Sequence, residues 1–225
     1  MKILTDIPIN FTPAQITEAL HLQRKDSSEK IKNLIETAQP LITARAIYEI
    51  SYVDAKFDNA VTIEGIRFTS HILRKNLDQV ERVFPYVLTI GSGIEEKASA
   101  SDDLLERYYL DTIGDIALGI GLRYLENEIQ SKYAMGKISR MNPGSLADWP
   151  IEEQRPLFSL LGSVASSIGV RLTKSLLMLP RKSVSGIYFP TEISFESCQL
   201  CPRERCPSRK TPYSERRAKE YGIVK

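Results

Sequence analysis

Apolar residues recur at helical spacing in several segments of the chain, and small polar residues stand in front of some of them. Thr12 before Pro13 and Ser27 before the second segment are typical helix N-caps. The spacing predicts helices over residues 12–24, 27–38, 41–50, 69–78, 101–135, 152–169 and 214–223.

The longest of these helices, over residues 101–135, contains three glycines: Gly114, Gly119 and Gly121. A glycine in a helix interior costs about 1 kcal/mol relative to alanine. Nothing in the local sequence favours glycine at these positions. The pattern therefore indicates that another backbone approaches the helix closely there.

Shorter apolar runs bounded by glycine or proline predict the strands of the protein. They lie over residues 61–68, 85–93, 172–180 and 182–190. The last two are expected to be joined by a short turn at Pro180 and Arg181. Helices and strands are mixed without the regular alternation of a doubly wound sheet, so the order favours the α+β class.

The composition is that of a globular protein with a real core, since 42% of the 225 residues are hydrophobic and 26% are charged. The net charge of +2 gives no strong signal for a polyanion partner. Basic residues cluster near the C-terminus, where a solvated face is a more common explanation than RNA or partner binding. The cluster comprises Arg203, Arg205, Arg209, Lys210, Arg216, Arg217 and Lys219.

The N-terminal sequence lacks the apolar segment of a signal peptide, and no apolar run is long enough to span a bilayer. The three cysteines are an odd number packed within nine residues, which is not a disulfide framework. We therefore expect a cytoplasmic protein.

Several common catalytic motifs are missing from the sequence. No phosphate-binding GxxxxGK[ST] loop and no GxSxG elbow occur. Gly91 and Gly93 follow a predicted strand, but Glu96 stands where a dinucleotide-binding loop has glycine, so a plain strand-to-helix turn is favoured. His21 and His71 are far apart in sequence and have no obvious catalytic partner. No catalytic residue is assigned.

The segment RMNPGSLADWPIEEQ, residues 140–154, contains residues that a turn does not require, such as Arg140 and Trp149. Arg140 heads a Pro–Gly turn and could offer a planar fork of donors to a carboxylate. The main-chain groups of the turn could bind a flat polar ring. Trp149 could stack on that ring, although a lone tryptophan is more often part of the core. A ligand loop and a plain connector are equally compatible with this sequence.

The segment KSVSGIYF, residues 182–189, combines three small residues, Ser183, Ser185 and Gly186, within a predicted strand. Small residues let a ligand or another chain approach the backbone. A bulged edge strand is the alternative interpretation.

The segment CQLCPRERC places Cys198, Cys201 and Cys206 at a spacing typical of metal sites. Three thiolates could bind zinc or an iron–sulfur cluster, with one position open or filled from elsewhere. Three free thiols in a flexible tail are the alternative.

Residues 140–154 and 172–189 together resemble the activation (reactivation) domain family of cobalamin (vitamin B12)-dependent methionine synthase. That domain has an Arg-x-x-Pro-Gly-Tyr loop, a helix carrying acids, and a strand with a Ser-Val-Ser-Gly turn followed by an aromatic residue. The similarity covers roughly residues 85–190. It implies an antiparallel or mixed twisted sheet flanked by helices. We expect an N-terminal helical region with a strand (1–80), the activation-domain core (81–195) and a cysteine-containing basic tail (196–225), forming one compact domain.

The resemblance also implies a ligand, S-adenosylmethionine. Residues Arg140, Asn142, Gly144 and Ser145 occupy the positions that bind it in the family. The family has tyrosine at the position of Ser145, a departure that could weaken binding or open space for another ligand. The cysteine tail is a second departure from the family.

The resemblance implies a partner as well, because cobalamin would be held by another protein. The expected function is that of a free-standing reactivation subunit. It would dock on the cobalamin module of methionine synthase, or on another corrinoid protein, and support reductive methylation of Co(II) cobalamin. The electron would come from a flavodoxin- or ferredoxin-like donor. The basic tail and residues 182–189 are candidates for the docking face.

Two other functions remain open on the sequence. One is reactivation of a different corrinoid methyltransferase system, with an iron–sulfur or zinc site held by the cysteines. The other is a non-catalytic, metal-stabilised binding module. Nucleic-acid binding by residues 203–219 has the least support.

Overall fold

The helices and strands of the protein are taken from a computed structural model that describes residues 1–20, 28–133, 136–206 and 209–223. The helices are α1 (Pro13–Ala19), α2 (Ser28–Ala38), α3 (His71–Asn76), α4 (Gly93–Ala100), α5 (Leu104–Lys132), α6 (Gln154–Leu160), α7 (Val164–Ile168) and α8 (Glu215–Glu220). The strands are β1 (Lys2–Leu4), β2 (Arg45–Tyr48), β3 (Ser51–Lys56), β4 (Ala60–Ile63), β5 (Ile66–Thr69), β6 (Arg82–Thr89), β7 (Ile138–Met141), β8 (Arg171–Leu172), β9 (Met178–Leu179) and β10 (Ser183–Pro190). The predicted α+β class is confirmed.

The first of two compact units comprises residues Met1–Ile47, Val87–Glu128 and Ser163–Val184. In it, β2 lies between β1 and β6, and β10 begins beside β6. Its fully buried apolar side chains come from loops, strands and helices alike, and include Ile16, Ile47, Leu88, Ile90, Ile113, Ala117 and Leu125. The helices of this unit therefore bury one face each.

The second unit comprises residues Tyr48–Tyr86, Ile129–Gly162 and Ser185–Lys225. Its strands follow the order β6-β3-β4-β5, and β10 pairs with both β6 and β7. The β7–β10 pair is antiparallel, with Met141 opposite Ile187 and Arg140 opposite Tyr188. The β3–β4, β3–β6 and β4–β5 pairs are antiparallel too, as the resemblance implied.

One hydrophobic cluster holds the second unit together. It joins side chains from the sheet, from α3 and α6, and from the C-terminal segment, including Phe68, Leu73, Met141, Trp149, Leu157, Phe189, Leu200 and Tyr221. Phe195, Leu200 and Tyr221 of the C-terminal segment are thus part of the core of this unit.

The prediction of a helix over residues 41–50 is wrong. A 3-10 turn at Gln39–Leu41 is followed by β2, in which Ala46, Ile47 and Tyr48 are all buried. A short apolar run buried on both faces cannot be told from a buried helix by periodicity alone.

The predicted single strand over residues 61–68 is a hairpin of β4 and β5. Glu64 and Gly65 both have positive φ, 48° and 75°, at the two-residue turn between the strands. Turns of this kind match the twist of the flanking strands, and glycine adopts the required conformation without strain. The glycine therefore reverses the chain and does not interrupt a strand.

The predicted helix over residues 152–169 and the predicted strand over residues 172–180 are each divided. A 3-10 turn, α6 and α7 replace the helix, and Gly162 with a φ of 61° separates α6 from α7. The strand is two short antiparallel pieces, β8 and β9, with Leu176 at a φ of 65° between them.

The glycines of α5 do not lie against another backbone, as the sequence had predicted. A side chain at Gly114 would meet the Lys182 and Ile94 side chains, and one at Gly121 would meet Leu88. Nothing lies within 4 Å of a side chain placed at Gly119. Side chains, and not another backbone, therefore approach the helix.

Other local predictions are confirmed. Thr12 caps α1 with a reciprocal capping box that includes Gln15, and α5 is the longest described helix. Ser27, His21 and the predicted end of the first helix lie outside the described residues. None of the helices in the described ranges combines the length and hydrophobicity that crossing a bilayer requires.

Candidate functional site

The loop after β7 begins with a tight turn over residues 142–145. The Ser145 N–H donates to the Asn142 carbonyl at 3.1 Å, and Gly144 has a φ of 82°. Proline at the second position and glycine with positive φ at the third define a type II turn. The Pro–Gly pair is thereby explained by local geometry.

A second set of hydrogen bonds closes the loop on itself. The Gly144 N–H donates to the Trp149 carbonyl at 2.8 Å, and the Trp149 N–H donates to the Leu146 carbonyl at 3.1 Å. The main-chain N–H groups of Gly144 and Ser145 are therefore both used inside the loop. Gly144 and Ser145 are exposed while Pro143 is buried, so a ligand at this turn would meet Gly144 and Ser145.

The side chain of Asn142 anchors the loop to the sheet. Its amide nitrogen donates to the Tyr86 hydroxyl at 2.8 Å and to the Ser185 carbonyl at 2.6 Å. Both hydrogens of this nitrogen have acceptors, so its donor capacity is used by the fold. Its role as a ligand residue stays a prediction.

Gly186 is required because the end of β7 lies against it. A side chain there would collide with the Met141 carbonyl oxygen and the Asn142 amide nitrogen. Ser185 is also buried, 3% exposed, with its hydroxyl 3.4 Å from the Gln154 amide oxygen. Gly186 thus serves close packing against the end of β7, and Ser185 packs against Gln154 at the start of α6.

Most of residues 182–189 are buried, and β10 is not an edge strand. Ser183 is buried, and its hydroxyl donates at 2.9 Å to Thr89 Oγ1, beside the Pro180 carbonyl at 2.6 Å. Strand β10 is paired on both sides, with β6 and β7. Only Lys182 and Val184 of this segment are partly exposed, and its role as a docking face stays a prediction.

Arg140 is half-buried on β7, directly opposite Tyr188. Its guanidinium carbon lies 5.8 Å from the centre of the Tyr188 ring, a cation–π distance. The Tyr188 ring in turn packs on Tyr86 with centres 4.5 Å apart. The Arg140 side chain therefore packs on a pair of buried aromatic rings, two residues before the turn. Its planar guanidinium has the donor geometry that suits a carboxylate.

Trp149 belongs to the core. Its side chain is fully buried and meets Phe68 edge-on, with ring centres 6.4 Å apart. It therefore does not present a stacking face to a ligand.

Two acidic residues of the loop are structural. Asp148 accepts hydrogen bonds from Ser70 Oγ and from the main-chain N–H groups of His71 and Ile72, at 3.2 and 2.9 Å for the last two. It caps the start of α3. Glu153 accepts from the Thr69 N–H at 3.2 Å. Burial raises the pKa of Glu153, while the Thr69 N–H and the Trp149 side chain act to lower it.

The four predicted ligand positions are neighbours in sequence, within residues 140–145, and their binding role stays a prediction. The structure adds two residues that the sequence did not reveal. These are Tyr86 and Tyr188, the supports of Asn142 and Arg140. Tyr188 lies within the segment KSVSGIYF, so the small residues just before it mark this part of the chain in the sequence. Tyr86 is 56 residues from Asn142 in sequence, and no local pattern marks it.

Cys198, Cys201 and Cys206 are free thiols of intermediate exposure. Among the described residues, no three His, Cys, Asp or Glu side chains are grouped so as to hold a metal ion. The predicted metal site stays a prediction.

Residues 123–198 match the sequence profile of the family described as "Vitamin B12 dependent methionine synthase, activation domain". The matched segment contains Arg140, Asn142, Gly144, Ser145 and the whole of β10. No curated protein matches the chain.

The fold is that of a known domain. A solved structure described as "Crystal Structure of the MetH Reactivation Domain bound to AdoHcy" superposes with a TM-score of 0.56. The alignment has 15% sequence identity and covers 88% of this chain and 81% of that one. The resemblance drawn from the sequence motifs is confirmed by the family match and by the shared fold.

Proposed function

We propose that this chain, in which residues 123–198 match the methionine synthase activation domain, reactivates a cobalamin-dependent methionine synthase as a separate subunit. It binds S-adenosylmethionine and docks on the cobalamin module of its partner. When bound, S-adenosylmethionine supplies the methyl group, and an external flavodoxin- or ferredoxin-like donor supplies one electron for Co(II). The residues of this chain bind and orient the ligand.

The observation that carries the proposal is the placement of Arg140 within the matched segment. Its guanidinium carbon lies 5.8 Å from the centre of the Tyr188 ring, two residues before a turn in which Gly144 and Ser145 are exposed. A ligand with a carboxylate at one end would find a planar donor fork there. The solved structure of similar fold contains a bound ligand of this kind, AdoHcy, which supports the same chemistry here.

The absence of a predicted nucleophile or acid–base pair agrees with this function. Positioning two reactants converts a bimolecular step into an effectively unimolecular one, and requires rigid contacts more than reactive side chains. The bonds of Asn142 to Tyr86 and Ser185 supply that rigidity at the binding loop.

Calorimetric titration of S-adenosylmethionine into the full chain tests the binding step. Wild type is compared with Arg140→Ala and with Arg155→Ala, a matched control at an exposed arginine of α6. A charge-assisted hydrogen bond contributes about 1.5–3 kcal/mol, so Arg140→Ala should weaken binding by roughly 10- to 150-fold. Circular dichroism establishes that both variants are folded.

Equal affinity of wild type and Arg140→Ala would refute the ligand position. The reactivation step is tested separately with a methionine synthase that lacks its own activation domain and is held in its Co(II) form. Adding this chain, S-adenosylmethionine and reduced flavodoxin should restore the visible spectrum of the active enzyme. No recovery despite ligand binding would refute reactivation of that partner.

A further inference from the structure

The long helix α5 carries a row of apolar and small residues on its exposed side. Leu105 and Tyr108 are 49% and 50% exposed. They are followed by Thr112, Ile116 and Gly119, which are all partly exposed. Residues three and four apart lie on the same face of a helix, so these five form one continuous stripe, here called the outer stripe.

The polar groups in and beside the outer stripe have partners of their own. The Thr112 hydroxyl donates to the Tyr108 main-chain carbonyl at 2.9 Å. Beside the stripe, the Lys182 ammonium lies 2.9 Å from the Asp111 carboxylate and 2.6 Å from the Asp115 carboxylate. Burying a polar group costs free energy mainly when that group has no partner. The stripe can therefore be covered by another apolar surface without leaving these groups unpaired.

Gly119 is not explained by packing within the chain. Among the described residues, nothing lies within 4 Å of a side chain placed there, and its backbone has no positive φ that would require glycine. Glycine inside a helix is less stable than alanine. The open space at Gly119 has the right place to receive a side chain from another molecule.

The outer stripe has the same spacing in both directions along the helix. Its successive residues are three, four, four and three positions apart, with Thr112 at the centre. Two such helices can therefore pair antiparallel about a two-fold axis at Thr112, because each residue then faces the one equally far on the other side of it. Tyr108 of one copy meets Ile116 of the other, and Leu105 meets the open space at Gly119.

The residues that flank the stripe fit the same arrangement. Leu104, which is 76% exposed, faces Ile120 of the other copy. At each end of the pair, the exposed Arg123 comes beside the exposed Asp102, which lies just before α5 of the other copy. Opposite charges meet in this arrangement, whereas a parallel pair would place Arg123 beside Arg123. Charge complementarity therefore favours the antiparallel orientation.

We propose that the outer stripe binds the outer stripe of a second copy of this chain, giving a two-fold symmetric dimer through antiparallel α5 helices. The paired segment, residues 102–123, is about 30 Å long at 1.5 Å per residue. Helices that pack nearly antiparallel lie about 8–10 Å apart. A single helix pair is a modest contact, so the fraction of dimer depends on protein concentration.

Sedimentation equilibrium of the full, reduced chain tests the proposal over concentrations from about 1 μM to 1 mM, the range of modest affinities. It needs neither S-adenosylmethionine nor a partner protein, so its outcome is independent of the proposed reactivation. The variants are Tyr108→Glu, Arg123→Glu, and Arg123→Glu combined with Asp102→Lys. Leu177→Glu is the matched control, at a residue of the same unit that is 57% exposed and outside the stripe. Circular dichroism establishes that each variant is folded.

We expect the average mass of wild type to rise from that of a monomer towards twice that value. Tyr108→Glu should weaken dimerisation by about 10-fold or more, because it places two unpaired carboxylates in an apolar contact. Arg123→Glu should weaken it by about 3-fold or more, since each charge pair occurs twice in the dimer. Adding Asp102→Lys should restore the wild-type affinity. Leu177→Glu should match wild type.

Three results would overturn the proposal. The first is wild-type protein that stays monomeric up to about 1 mM; loss of reactivation in Tyr108→Glu with unchanged ligand binding would then assign the stripe to a different partner protein. The second is a dimer that Tyr108→Glu leaves intact, which would place the contact elsewhere. The third is a loss in Arg123→Glu that Asp102→Lys does not restore, which would contradict the antiparallel arrangement.

Discussion

The side-chain amide of Asn142 donates to the main-chain carbonyl of Ser185 at 2.6 Å. This bond ties the turn that follows β7, the strand that carries Arg140, to strand β10. The same nitrogen also donates to the Tyr86 hydroxyl at 2.8 Å. One side chain thereby joins three segments that are distant in sequence.

Removing the Asn142 side chain should destabilise the fold. Asn142→Ala leaves the Ser185 carbonyl and the Tyr86 hydroxyl without this donor, and an unsatisfied buried group costs about 1–3 kcal/mol. Urea unfolding should show that loss of free energy. Ser145→Ala, at an exposed position of the same turn, should change stability by less than about 0.5 kcal/mol. A similar small change in both variants would contradict the anchoring role.

Two glycine-to-alanine changes should have opposite signs. Gly186→Ala places a methyl group against the Met141 carbonyl and the Asn142 side chain, and such overpacking costs about 1–3 kcal/mol. Gly119→Ala adds a methyl group in open space within α5 and should stabilise by about 0.5–1 kcal/mol. Thermal unfolding measures both changes. Stabilisation by Gly186→Ala would show that β7 and β10 are not in close contact.

The Lys182 ammonium should stabilise the contact between the start of β10 and α5 through two ion pairs. It lies 2.9 Å from the Asp111 carboxylate and 2.6 Å from the Asp115 carboxylate, and its side chain is only 14% exposed. Partly exposed ion pairs contribute about 0.2–1 kcal/mol each. Lys182→Met should therefore lower the free energy of unfolding by about 1 kcal/mol at low ionic strength.

The salt dependence of this effect provides its control. At about 1 M salt the screening length is about 3 Å, and the loss caused by Lys182→Met should shrink. Lys32→Met removes an exposed pair with Glu36 at 3.7 Å and should have little effect at either ionic strength. A loss in Lys182→Met that is independent of salt would assign the effect to packing of the lysine stem.

Glu153 should make stability depend on pH. Burial raises its pKa above the ordinary value of 4.5, so the folded protein keeps this proton to higher pH than the unfolded chain. The contribution of Glu153 to stability should therefore fall as pH rises from about 4.5 to the raised pKa. Glu153→Gln retains an acceptor for the Thr69 N–H and should remove this part of the decline.

Urea unfolding across that pH interval measures the dependence. Glu152→Gln, at an exposed neighbouring carboxylate, should leave the decline unchanged. A pH profile of Glu153→Gln that parallels wild type would show that this carboxyl keeps its ordinary pKa in the folded state.

Local chemistry accounts for the features that were predicted from the sequence. Thr12 and Pro13 begin α1 because the cap and the fixed φ of proline act within one turn. Pro143 and Gly144 demand a type II turn because their allowed backbone angles leave few alternatives. The α+β class followed from the order of such segments.

Tertiary contacts decided the rest of the fold. Residues 41–50 have apolar spacing that suits a helix, yet burial on both faces of a sheet made part of them strand β2. The small residues of β10 indicated a close approach, but not that β7 would be the neighbour. Spacing along one chain reports which positions are buried and not which partner buries them.

The same distinction between local sequence and tertiary contacts applies to the candidate sites. The sequence by itself determined that Arg140 stands before a rigid turn and that three cysteines lie close together, because both facts concern neighbouring residues. Only the tertiary structure decided that Tyr188 supports Arg140 and that Asn142 bonds to Ser185. These contacts depend on how strands pair and loops close, which local backbone preferences do not specify.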